Sequence, residues 1–91
     1  ISAGNPNVES RVLTARAEIA FKEQEWSKAM ELSNKALQVS KGKNADAMEL
    51  KGDIYKETND LKNAVVSWNK AKELGGNVAR LAKKSETQKN N

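Results

Sequence analysis

An internal repeat at an offset of 35 residues is the sequence feature that most constrains how this chain can fold. Three small residues of the first half recur at that offset in the second: Ala17 as Gly52, Ala29 as Ala64, and Ala36 as Ala71. Their neighbours recur with them, since Leu13 is matched by Met48 and Asn34-Lys35 by Asn69-Lys70. A period of this length, with two helical segments in each unit, indicates an array of helical hairpins.

Apolar residues at helical spacing predict five helices. We expect them over about residues 8–23, 27–40, 45–57 and 61–74, with a weaker fifth over about 78–85. Asparagines precede three of them and can cap their first turns: Asn5 or Asn7, Asn44, and Asn77. Gly42 and Gly75-Gly76 are placed to end the second and fourth helices. The expected fold is all-α, two antiparallel hairpins followed by one further helix.

The chain has 91 residues, enough for one domain. We divide it into a first repeat at about 8–41, a second at about 45–76, a capping helix at about 78–86, and a frayed tail at 87–91. Because the chain begins at Ile1 and its opening resembles the turn before a repeat, we interpret it as a piece of a longer protein.

The net charge of +4 lies mostly at the carboxyl end. Residues 1–40 carry five basic and five acidic side chains, and residues 41–74 carry seven and six. A short basic end is typical of a solvated surface, so we do not expect nucleic-acid binding. No apolar run approaches the length of a membrane span, so we expect no insertion into a membrane. With no Cys and no His, the chain excludes disulfides and imidazole-bound metals, and we expect no cofactor.

The repeats resemble the tetratricopeptide-repeat family over about residues 10–76. That family has small residues midway along its first helix, early in its second, and near the end of the second. The segment from Glu57 to Ala64 is similar to the family's turn between helices, with Asn59 where a left-handed residue is usual. Gln24 departs from the family by replacing the turn glycine. The run Lys-Ala-Lys-Glu-Leu-Gly-Gly at the end of the second repeat is similar to bacterial members.

The resemblance implies a right-handed superhelical stack in which small residues allow close helix packing and the fifth helix solvates the last repeat. The residues expected to pack the repeats are Ala17, Ala29, Ala36, Gly52, Ala64, Ala71, Trp26, Trp68 and Tyr55. Arg80, Lys83 and Lys84 would make the outer face of the fifth helix polar.

The same resemblance implies that the first helices line a concave face that holds a segment of another protein. The residues expected on that face are Arg11, Thr14, Glu18, Phe21, Lys22, Asp46, Glu49, Asp53 and Lys56. Asp46, Glu49 and Asp53 fall on one helix face, expected to be exposed, and favour a basic or mixed-charge partner. We interpret the chain as an interaction scaffold or adaptor.

Two further expectations concern what this face does not do. Family members that hold acidic carboxyl-terminal peptides use Lys and Asn where this chain has Thr14, Glu18 and Asp53, so the carboxylates here would repel such peptides. No Gly-rich loop or activated nucleophile accompanies any Ser, and we expect no enzyme activity.

Self-association is the alternative function. Two repeats are fewer than the three or so that normally bury a continuous core. A homodimer could recover the missing burial, for example by exchanging a hairpin across residues 41–44.

Overall fold

The computed structural model describes residues 5–89, and over that range it contains five α-helices and no strand. These are α1 (Pro6–Lys22), α2 (Trp26–Val39), α3 (Ala45–Glu57), α4 (Leu61–Glu73) and α5 (Val78–Lys89). The largest contacts join α1 to α2 and α3 to α4, while α3 packs on α2 and α5 packs on α4. The predicted all-α stack of two hairpins and a fifth helix is confirmed.

Asparagine and aspartate side chains fix where four of the helices begin. Asn5 accepts hydrogen bonds from the backbone N–H groups of Asn7 and Val8, and Pro6 is the first residue of α1. Asn44, Asp60 and Asn77 each accept from the backbone N–H three residues later, at 3.1, 3.2 and 2.9 Å. Each cap satisfies a donor that the first helical turn leaves without a partner.

The turns inside the two hairpins have the same backbone geometry at positions 35 residues apart. Gln24 and Asn59 both take a left-handed backbone, with φ of 62° and 67°. The following N–H groups close equivalent turns, Glu25 to the carbonyl of Ala20 at 2.9 Å and Asp60 to that of Tyr55 at 2.8 Å. Gln24 therefore adopts the conformation for which a glycine is usual.

The ends of the second helices differ by one residue. α2 has 14 residues and α4 has 13. The residue after the C-cap, which takes a left-handed backbone in both, is therefore Lys41 (φ 57°) after α2 and Gly75 (φ 98°) after α4. In both, the next glycine donates to the carbonyl five residues back, Gly42 to Leu37 at 2.7 Å and Gly76 to Ala71 at 2.9 Å. The left-handed residue expected from the sequence at Gly42 thus begins one position earlier, at a lysine.

All six small residues at the repeat positions are buried. Trp68 is 1% exposed, and its ring lies so close to Gly52 that a Cβ atom there would overlap it. The first hairpin has Ser33 in place of Trp68, and the hydroxyl of this buried serine has no hydrogen-bond partner among the described residues. Trp26 and Tyr55 are half-buried.

α5 extends to Lys89, past the end expected at about residue 86. Once a helix is nucleated, each added residue gains a hydrogen bond that offsets the entropy lost in fixing it, so the polar sequence after Ser85 continues the helix. Of the tail expected to be frayed, residues 90–91 lie outside the described residues. None of the described helices combines the length and the hydropathy required to cross a bilayer.

Candidate functional site

A recess of about 290 Å³ lies where α1, α3 and α5 meet, and we call it the acidic groove. Its lining brings together four of the carboxylates predicted from the sequence, with one leucine and one arginine: Glu18, Asp46, Glu49, Asp53, Leu50 and Arg80. α1 contributes Glu18, α5 contributes Arg80, and the other four residues belong to α3. Two hairpins and the last helix are therefore all needed to form it.

Glu49 lies at the base of the acidic groove and is buried, with 8% exposure. The Arg80 guanidinium donates to both carboxylate oxygens of Glu49, from Nε to Oε2 at 2.8 Å and from Nη2 to Oε1 at 2.7 Å. The Lys84 ammonium donates to Oε2 at 2.8 Å. This bidentate arrangement is the geometry in which a guanidinium binds a carboxylate most strongly.

Asp53 continues the same network one helical turn further along α3. It accepts hydrogen bonds from Lys84 Nζ at 2.9 Å and from the indole N–H of Trp68 at 3.1 Å. Lys84 Nζ also lies 5.9 Å from the centroid of the Trp68 ring. One lysine of α5 thus links two carboxylates of α3 with the aromatic core of the second hairpin.

The expectation that all three α3 carboxylates would be exposed is wrong for Glu49, which is buried, and for Asp53, which is half-buried. The expectation of an outward-facing residue is also wrong for Lys84, which is 30% exposed and pairs with both carboxylates. Arg80 is exposed as expected, but its guanidinium reaches back to Glu49. The reason is register: Glu49 and Asp53 are four residues apart, as are Arg80 and Lys84, so each pair shares one helix face. When α5 packs on α4, the two faces meet.

The network shifts the protonation of its members. Burial by itself would raise the pKa of Glu49, but hydrogen bonds and charges from Arg80 and Lys84 outweigh it and hold the pKa below 4.5. Burial would lower the pKa of Lys84, but the hydrogen bonds that its ammonium donates to Glu49 and Asp53 reverse this and raise the pKa above 10.5. The bond to Glu49 raises the pKa of Arg80. All three groups are therefore charged at neutral pH.

Glu18 and Asp46 are the two exposed carboxylates of the acidic groove. Neither makes an ion pair with the side chains described between residues 5 and 85. Asp46 is close enough to Arg80 for its charge to raise the pKa of the guanidinium. The open rim of the groove thus carries two carboxylates, with Arg80 as the arginine of its lining.

Thr14, predicted on the groove, is instead buried in a polar network between the hairpins. Its hydroxyl donates to the carbonyl of Ser10 at 2.9 Å and accepts from Asn44 Nδ2 at 3.1 Å. Ser10 accepts from the same amide at 2.8 Å and donates to the carbonyl of Ala36 at 2.8 Å. The sequence marked Asn44 only as a cap, and gave no sign that Ser10 would be buried.

The other predicted groove residues lie apart from the acidic groove. Phe21 is half-buried, and its ring meets that of Trp26 edge to face with centroids 5.3 Å apart. Lys22 and Lys56 are exposed and do not line the recess. Arg11 lies with Asp46 in a neighbouring recess of about 320 Å³ at the amino-terminal end of α1.

A wider recess of about 620 Å³ lies between α2 and the end of α3. Trp26, Met30 and Tyr55 form its apolar part, and polar residues of α2 form its rim. Sequence reasoning assigned the two aromatic residues to repeat packing only. Their partial exposure follows from the way α3 crosses α2, which no sequence pattern indicated.

Comparison of the chain with protein-family models, with curated proteins and with solved structures gives no match. Within the part of the chain that the structure describes, no three His, Cys, Asp or Glu side chains are grouped to hold a metal ion.

Proposed function

We propose that this chain is a protein-interaction module of the tetratricopeptide type, which binds a basic or mixed-charge segment of another protein in the acidic groove. The observation that supports this most is the pair of exposed carboxylates at the groove rim, Glu18 and Asp46, beside the carboxylates that α5 already neutralises. Two free anions favour a cationic ligand electrostatically. Arg80, about half-exposed, can receive an acidic group of the same ligand.

The acidic groove is also unsuited to an anionic peptide end. The positions that would have to donate to such a ligand hold Glu18 and Asp53, and the third, Thr14, is buried and already hydrogen-bonded. Bringing a carboxyl-terminal carboxylate beside Glu18 and Asp46 would add repulsion from both, and the arginine of the groove, Arg80, is already paired with Glu49. We therefore expect basic segments to bind and acidic carboxyl-terminal peptides not to bind.

Fluorescence anisotropy with two labelled peptides tests the proposal. A short peptide of Lys, Leu and Ser is expected to bind with a dissociation constant on the order of 10–100 μM, while one ending in Glu-Glu-Val-Asp is not. Combining Glu18→Lys with Asp46→Lys should weaken the basic peptide's binding by about tenfold or more. Asp53 is left intact because it holds α5 in place.

The control is a variant with the same total charge, Glu31→Lys with Glu73→Lys, at exposed positions on α2 and α4. It should bind the basic peptide as the parent chain does. Equal loss in both double variants would mean that net charge alone attracts the peptide. Tight binding of the acidic peptide would show that the groove prefers anionic rather than cationic ligands.

A further inference from the structure

The outer face of α1 carries a stripe of apolar side chains that the other described residues leave uncovered. Val8, Val12 and Ile19 are 43%, 52% and 57% exposed, and Ala15 between them is exposed as well. Their spacing of four, three and four residues keeps them on one side of the helix. Of the six large hydrophobic residues exposed in the described chain, three belong to this stripe.

The repeat shows what such a face does. At the 35-residue offset, Val12, Ala15 and Ile19 correspond to Ala47, Leu50 and Ile54 of α3. Those three are 0%, 6% and 1% exposed, because they form the face of α3 that packs on the first hairpin. The stripe on α1 is therefore the same packing surface, at the end of the stack where no hairpin precedes it among the described residues.

At the opposite end of the stack, the side chains described up to residue 85 form no equivalent stripe. α5 packs on α4, and its Leu81 is fully buried with Ala64, Trp68 and Ala71. The two ends are therefore unlike, and copies cannot add head to tail without displacing α5 and its ion pairs with Glu49 and Asp53. An association that uses only the α1 end must be isologous, with the same surface contributed by both copies.

We propose that a second copy of this chain covers the stripe, with the two α1 helices packed antiparallel across a two-fold axis. The four stripe residues are placed symmetrically about the point between residues 13 and 14. An axis there sets Val8 opposite Ile19 of the second copy and Val12 opposite Ala15, so a large side chain meets a small one at the centre. Antiparallel packing also aligns the helix dipoles favourably.

The charges beside the stripe fit this arrangement. With 3.6 residues per turn, Glu9 and Arg16 lie along one edge of the stripe, and Arg11 and Glu18 lie along the other. The same two-fold axis brings Glu9 close to Arg16 of the second copy and Arg11 close to Glu18. Every such contact pairs opposite charges, which favours the second copy as the occupant. Glu18 also lines the acidic groove, but the dimer does not require that a ligand bind there.

Mass measured by light scattering across a concentration series, from about 5 μM to about 1 mM of chain, tests the dimer. The mass is expected to rise from the monomer's 10.0 kDa towards twice that value. Val12→Glu, at the centre of the stripe, should weaken association at least tenfold and leave the helical circular dichroism unchanged. Val66→Glu, on an equally exposed valine of α4, should leave both unchanged.

A charge exchange tests the antiparallel arrangement. Arg16→Glu places two carboxylates together and should weaken the dimer several-fold, and adding Glu9→Arg should restore it. Both residues lie outside the acidic groove, so these results are independent of peptide binding. A chain that stays at 10.0 kDa up to about 1 mM overturns the proposal and assigns the stripe to a different occupant. Failure of Glu9→Arg to restore association overturns the antiparallel packing.

Discussion

The indole of Trp68 lies directly against the Cα atom of Gly52, where any Cβ atom would overlap the ring. At the equivalent positions the first hairpin has two small residues, Ala17 and Ser33, and both of these are fully buried. The two hairpins therefore fill the same helix crossing in two ways, a glycine with a tryptophan and an alanine with a serine. Interiors are packed too densely for either pair to exchange one member alone.

Gly52→Ala is expected to lower the free energy of unfolding by about 1–3 kcal/mol, because the new methyl group must displace a buried ring. A loss of stability would be specific to this contact, since Gly→Ala inside a helix ordinarily raises the free energy of unfolding by about 0.5–1 kcal/mol. Unfolding in guanidinium chloride measures it. In a Trp68→Ser background the same change should be neutral or stabilising. An equal loss in both backgrounds would show that the ring is not the cause.

Asn44→Asp is expected to destabilise the chain by about 2 kcal/mol. Aspartate caps a helix as well as asparagine does, so α3 would keep its first turn. The two hydrogen bonds that the Asn44 amide donates to Ser10 and Thr14 would be lost, and a charge would be placed beside their buried hydroxyls. Thermal unfolding followed by circular dichroism measures the effect.

Asn77→Asp is the matched control for that change, because Asn77 accepts from the N–H of Arg80 at the start of α5 in the same way. It should leave the melting temperature unchanged or slightly raised. If the two variants lose the same stability, the capping bond explains the effect of Asn44 and its amide contacts between the hairpins contribute nothing.

Lys41→Gly is expected to raise the free energy of unfolding by about 1 kcal/mol. The lysine holds a left-handed backbone, with φ of 57°, that glycine adopts without steric penalty. Lys43→Gly removes the same charge two residues later, where φ is not positive, and should be neutral or destabilising by a few tenths of a kcal/mol. A gain of similar size in both would mean that removing a cation, rather than relieving the backbone, stabilises the chain.

Acid should weaken the chain through Glu49. Its pKa in the folded chain is below the ordinary value of 4.5, so its charge stabilises the fold fully above that pH. The stabilisation is lost as the pH falls through the lowered value. Since Arg80 is 52% exposed, we expect Glu49→Gln to cost about 2 kcal/mol at neutral pH, below the range for fully buried pairs. Melting temperatures at several pH values measure both effects.

The Glu49→Gln variant should also show a shallower loss of stability between about pH 5 and pH 3 than the parent chain. Glu57→Gln, at an exposed carboxyl of the same helix, should leave the profile unchanged. An identical acid profile for the parent chain and Glu49→Gln would mean that the Arg80 contact adds no pH-dependent stability.

The helical hairpins could be predicted from the sequence because each depends on local patterns. The turns centred on Gln24 and Asn59, and the small residues where the two helices of a hairpin cross, act between residues that are close in the sequence. The acidic groove could be predicted only in part. From the sequence, Arg80 and Lys84 are expected on a polar outer face of α5. The i, i+4 spacing they share with Glu49 and Asp53 was the signal that could have shown otherwise.

Burial of Thr14 and Ser10 could not be predicted in the same way. Both are polar, and only the arrival of Asn44 from the second hairpin gives their hydroxyls partners away from water. A contact between residues 30 and 34 positions apart has no local pattern to indicate it. The exposure of the α1 stripe could not be predicted either. Its apolar residues have the spacing of a helix face that packs on a core, yet they are exposed.

The positions of the two tryptophans have a practical consequence for measuring cooperativity. Trp26 belongs to the first hairpin, half-buried beside Phe21, and Trp68 to the second, buried near Lys84. Replacing either one with phenylalanine leaves a single tryptophan, whose emission, excited selectively over that of tyrosine, reports on one half of the stack. Coincident denaturation curves from the two single-tryptophan chains would show that the hairpins unfold as one unit. Separated curves would measure how strongly one hairpin stabilises the next.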